Sequence, residues 1–136
     1  MKNYRKILVV SVVTLMLAMI GCSSKPSQSK LMDELQAAQE SQDPAQVLGV
    51  YEKIVNYYPE GEEAAKAQFM IGYIYANEML DTAKAREAFD GFLTNYSAVS
   101  DSQLILSAEM ELKTLGMGAE AYEKMIFGED DGGAKE

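Results

Sequence analysis

The chain has 136 residues, with 12 basic and 21 acidic side chains, a formal charge of −9, one cysteine and no histidine. An acidic balance of this size argues against nucleic acid as a partner, because its phosphates would repel the chain. The commonest general base and zinc ligand is missing, and a lone cysteine cannot close an intrachain disulfide.

Lys2, Arg5 and Lys6 open the sequence, and residues 7–20 follow without a charge. At ~1.5 Å per residue that run reaches about 21 Å, short of a bilayer core near 30 Å. The pattern predicts a secretory hydrophobic segment rather than a permanent span. Gly21 then supplies the small side chain that a signal peptidase needs just ahead of Cys22. Met19-Ile20-Gly21-Cys22 after such a segment resembles a bacterial lipoprotein signal, with Met19 where leucine is commoner. The resemblance implies a diacylglyceryl group on the Cys22 thiol, removal of residues 1–21, and acylation of the new amine. The alternative is an unmodified Cys22 in a transmembrane anchor.

After cleavage 9 basic and 21 acidic residues remain, a formal charge of −12. Such a chain does not lie flat on anionic headgroups, so the acyl chains do the holding, each buried methylene contributing about 0.8 kcal/mol. Ser23 follows the cysteine where aspartate would imply inner-membrane retention, so the resemblance implies an outer-membrane anchor facing the periplasm. No other cofactor is expected.

Residues 22–29 read as the lipidated cysteine and a polar, serine-rich tether, 30–127 as one helical domain, and 128–136 as a solvated, disordered acidic tail. A first helix beginning at Lys30 puts Leu31, Leu35 and Ala38 on one stripe. Asp43-Pro44 predicts a second start, aspartate as N-cap and proline as first helical residue. The second helix presents Val47, Leu48, Tyr51, Ile54, Val55 and Tyr58, then stops at Pro59. Glu62 and Glu63 favour the start of a third, whose residues 69–76 carry no charge and predict cover on more than one side. Gly72, in its middle, costs ~1 kcal/mol against alanine, and the expected compensation is close approach of a neighbouring helix. A fourth helix starts near Asp81 with Ala85, Ala88, Phe89, Phe92 and Leu93 inward. A fifth runs from Ser102 to the Gly116–Gly118 break, and residues 119–127 form a short sixth.

The stretch "YEKIVNYYP" at 51–59 recurs as "FDGFLTNYS" at 89–97, 38 residues later. Ile71-Gly72, Tyr75, Ala85, Phe89 and Ser97 fall in the order of a tetratricopeptide repeat. The stretch resembles the variety in bacterial envelope lipoproteins of the barrel-assembly type and in periplasmic cell-division coordinators. The resemblance covers about residues 30–115. It implies an all-α fold, a short solenoid of antiparallel helix pairs, with residues 102–115 as the first helix of a third unit, left as a cap. About three repeats are normally needed for stability, so the sixth helix closes the stack or another protein, or a second copy, covers its open edge.

No residue pattern supplies a catalytic or metal site. Glu62-Glu63 reads as helix-start charge, Asp130-Asp131 as tail, and "GEDDGG" lacks the alternating ligands and closing glutamate of a calcium loop. The resemblance implies recognition instead, of envelope proteins or their peptide segments. Carried over to the second unit, the concave groove falls on Lys66, Phe69, Tyr73 and Asn77, at i, i+3, i+4 spacings that share one helical stripe. Phe69 and Tyr73 stand where a carboxylate clamp needs polar groups, so the groove suits an apolar or extended segment. The same two rings read equally well as core. The sequence therefore predicts a lipid-anchored adaptor, with a self-associating structural lipoprotein as the alternative.

Overall fold

A computed structural model describes residues 25–128. Cys22, the apolar segment and the acidic tail from residue 129 lie outside the described residues. Within them the chain is all-α, with helices α1 (Gln28–Glu40), α2 (Pro44–Tyr57), α3 (Glu62–Asn77), α4 (Thr82–Tyr96), α5 (Ser102–Thr114) and α6 (Ala119–Phe127). A 3-10 turn, Ser97–Val99, which the sequence pattern did not announce, joins α4 to α5.

Local chemistry sets these boundaries. Ser27 caps α1 through a 3.2 Å bond from Lys30 N–H, so the helix begins two residues ahead of the expected Lys30. Asp43 accepts from Ala45 N–H ahead of Pro44, Asp81 from Lys84 N–H and Asp101 from Leu104 N–H. Each side chain satisfies an N–H that has no partner within its helix. Bonds from the Gln46 amide and Ala45 N–H hold the Asp43 carboxyl below its usual range, and the Lys84 N–H does the same for Asp81. On α1, a bond from Lys53 lowers Glu34 likewise. A depressed folded pKa adds stability that is present above the unfolded value and lost as pH falls through the folded one. Melting followed by circular dichroism should therefore hold steady from pH 7 to about 5 and fall below about 4. Asp81→Asn, which keeps a capping oxygen, should remove part of that acid loss.

Consecutive helices from α1 to α5 each pack on their neighbours in sequence. Two apolar clusters result. The first gathers Leu31 and Ala38 of α1, Leu48, Val50, Tyr51 and Ile54 of α2, Ala67, Ile71 and Ile74 of α3, and Ala88 of α4. The second gathers Ala64 and Ala65 of α3, Ala85, Phe89, Phe92 and Tyr96 of α4, and Ala108 of α5. Helix α3 contributes to both, which is why its middle carries no charge. Gly72 does permit a close approach: an added Cβ would lie 2.7 Å from Phe89 Cε1 and 3.0 Å from its Cγ. Gln68 ties the same pair of helices by donating to the Ala88 carbonyl at 3.0 Å.

The recurrence at 38 residues is also a recurrence of burial. Tyr51 and Phe89 are both buried, as are Ile54 and Phe92, while Tyr58 and Tyr96 end their helices. The two tyrosines differ in task. Tyr96 is buried in the second cluster, whereas Tyr58 donates to the Pro26 carbonyl at 2.8 Å and takes Lys25 Nζ over its ring, 3.8 Å from the centroid. The last residues of the expected tether, 25–29, are therefore fastened to the body or already helical.

Helix α6 does not close the stack. None of its residues is buried, and it packs extensively on no other element. Tyr122, Ile126 and Phe127 stay exposed along it, Phe127 at 82%, and Leu106 (63%) and Met110 lie exposed on α5.

Candidate functional site

The four residues expected to form one groove all lie on α3, and the structure divides them: Lys66, Tyr73 and Asn77 are exposed and Phe69 is half-buried. Lys66 stands near the start of the helix, in ion-pair range of Glu62 (3.9 Å) and Glu63 (3.5 Å). It lines a recess with Val99, Ser100, Asp101 and Leu104. Asn77 turns its amide onto the Tyr73 carbonyl at 3.1 Å, a bond within its own helix.

Phe69 is core in character. Its ring meets Phe89 at a centroid distance of 5.5 Å and Phe92 at 5.9 Å, the second edge-on. Such tilted pairs place a positive ring edge against a negative face. Of the two expectations for Phe69, groove or core, its contacts with the α4 aromatics are those of the core. The residue that completes the outward stripe is Met70. Lys66, Met70, Tyr73 and Asn77 follow i, i+4, i+7, i+11, and that spacing could have located it.

Tyr73 keeps its place in a recess. It is 40% exposed and, with Met70, Ile74 and Glu78 of the α3 end, walls a cavity of about 340 Å³. The facing wall comes from Gln39, Gln42, Asp43, Pro44, Val47 and Tyr51, where α1 turns into α2. This is the end of the stack opposite Lys25 and Tyr58. The cavity's inner surface is mostly apolar, with carboxylates at its rim. Burial pushes the Tyr51 phenol up, against the effect of its hydrogen bond with Gln39, so it stays neutral.

Both turns at this end carry a left-handed residue that is not glycine, Gln42 (φ 56°) and Leu80 (φ 54°). A non-glycine residue in this region costs roughly 1–2 kcal/mol. At Leu80 the conformation lets Asp81 N–H reach back to the Tyr75 carbonyl at 2.8 Å and sets Asp81 to cap α4. It also leaves the leucine side chain 76% exposed, beside Met79, just past the groove residue Glu78.

Among the described residues no three carboxylate, histidine or cysteine side chains assemble as a metal cage, and no helix is long and apolar enough to cross a membrane. The groove supplies shape and apolar surface. No family model matches the chain, and comparison with curated proteins and with solved structures gives no significant match.

Proposed function

We propose that this chain is a bacterial envelope lipoprotein, anchored through Cys22 in the outer membrane and facing the periplasm. In this reading it is an adaptor for protein partners in outer-membrane assembly or cell-wall processes, and not an enzyme. Its helices are two tetratricopeptide-like pairs, α1–α2 and α3–α4, with α5 as the unpartnered first helix of a third. The repeated burial of Tyr51 with Phe89 and of Ile54 with Phe92 supports the pairing. The observation that carries the adaptor reading is the apolar groove walled by Met70, Tyr73, Val47 and Tyr51, which stands open at the end of the stack.

A photo-crosslinking amino acid at position 73, in cells carrying the full chain, tests this. The expected product is an adduct with one distinct envelope protein, identified by mass spectrometry and absent when the crosslinker sits at the exposed position of Lys113. No adduct from position 73 would overturn the groove's role.

A second reading, the self-associating structural lipoprotein, draws on the exposed Leu106, Met110, Tyr122, Ile126 and Phe127 of α5 and α6. A crosslinker at position 106 that yields only an adduct of twice the chain's mass would favour it.

A further inference from the structure

We propose that the Tyr73 groove selects a partner segment in which an apolar side chain is flanked by lysine or arginine. The inference rests on the adaptor reading and adds the chemistry of its partner. The groove's walls are apolar, and at about 340 Å³ it is near the low end of ligand pockets, which run from roughly 300 to 1,000 Å³. An open recess of that size with apolar walls suits the anchoring side chain of a longer segment. Met79 and Leu80 extend the apolar surface beyond the rim, so a segment lying across it finds contact outside the cavity as well.

Charge then decides which segments enter. Asp43 and Glu78 line the groove and no lysine or arginine does. Asp43 accepts only from the neutral Ala45 N–H and Gln46 amide, which orient its charge without cancelling it. Four lysines of the neighbouring helices are engaged elsewhere, Lys30 and Lys53 with Glu34, Lys66 with Glu62 and Glu63, and Lys84 with Asp81, and Arg86 of α4 does not line the groove. The rim is therefore a negative field beside an apolar slot, on a chain of formal charge −9. A segment with acidic flanks meets like charge on arrival, while a basic flank is steered in and places its cation against the rim once the apolar side chain is seated.

The test uses the full chain in detergent and four fluorescent 12-residue peptides. Three share a central Phe-Leu pair and carry lysine, serine or glutamate flanks, and the fourth has lysine flanks with serine in place of the pair. Anisotropy should show the lysine-flanked Phe-Leu peptide binding about 10-fold or more tighter than the glutamate-flanked one, the gap narrowing as salt shortens the screening length. Glu78→Lys should remove most of that gap. Leu80→Gly should weaken all three Phe-Leu peptides several-fold. Because it relieves a left-handed leucine, it should melt no lower than the parent chain, so the loss cannot be ascribed to unfolding.

Equal affinity for lysine and glutamate flanks, or no effect of Glu78→Lys, would overturn the charge selection. Binding of the Phe-Leu-free peptide as tightly as its parent would overturn the apolar anchor, and no binding by any peptide would overturn both. The adaptor reading fails separately, when position 73 crosslinks to no envelope protein in cells.

Discussion

Phe89→Ala should lower the unfolding free energy by about 3–5 kcal/mol, the range for an aromatic removed from a closed core. Marginal stability of about 5–15 kcal/mol leaves little after such a loss. Phe89 is fully buried, packs against Phe69, and lies where α3 and α4 approach at Gly72. The same geometry makes Gly72→Ala costly. Alanine would gain ~1 kcal/mol of helix propensity, yet its Cβ would meet three ring carbons of Phe89 within 3.0 Å. Because the ring has no open side to move toward, overpacking of about 1–3 kcal/mol should outweigh that gain. Combined with Phe89→Leu, whose side chain vacates the ring's position, Gly72→Ala should cost less than the sum of the two single changes. Denaturant titrations of the four variants measure this coupling. A rise in midpoint for Gly72→Ala alone would show that the helices do not need their close approach.

Cys22→Ser should abolish lipid attachment outright. The parent chain is expected to begin at Cys22, without residues 1–21, with an intact mass raised by its diacylglyceryl and amide-linked acyl groups. The serine variant should keep residues 1–21, gain no lipid mass and be lost from the outer-membrane fraction. On the lipoprotein reading, two or three acyl chains at about 0.8 kcal/mol per buried methylene would make the parent's attachment stable, and a serine hydroxyl cannot form the thioether that starts the modifications. Equal mass and fractionation of the two would leave the apolar run as the anchor and overturn the lipoprotein reading.

The helix boundaries were legible because they rest on short-range chemistry. Asp43 and Asp81 cap the helices that their positions announced, and Pro44 opens α2. Gly72 in an apolar helix could be read as a contact point because no other benefit offsets its cost, and Phe89 is the contact. Less was legible where packing, rather than local sequence, decides. Val50 lies off the expected stripe of α2 yet is buried, because α2 is flanked by both α1 and α3 and needs a wider apolar face. The repeat register placed Phe69 in the groove, whereas Met70, one position further on, lines it, because direction from the helix axis depends on angle alone. The left-handed turns at Gln42 and Leu80 had no glycine or asparagine to mark them. Helix α6 was legible as a short helix after the Gly116–Gly118 break, but the sequence of a helix does not say that a neighbour is there to meet it.

The bond from Tyr58 to the Pro26 carbonyl has a bearing on reach. Only Ser23 and Ser24 separate Cys22 from Lys25, so an extended backbone spans at most about 11 Å before the folded body begins. With Cys22 acylated, the domain is on a short leash rather than a floating line. The length of α1, roughly 20 Å, carries the open slot to the far side of the body from that attachment. A protein set up this way samples a thin shell at fixed height above the lipid, which raises its encounter rate with partners in that shell and leaves deeper ones out of range.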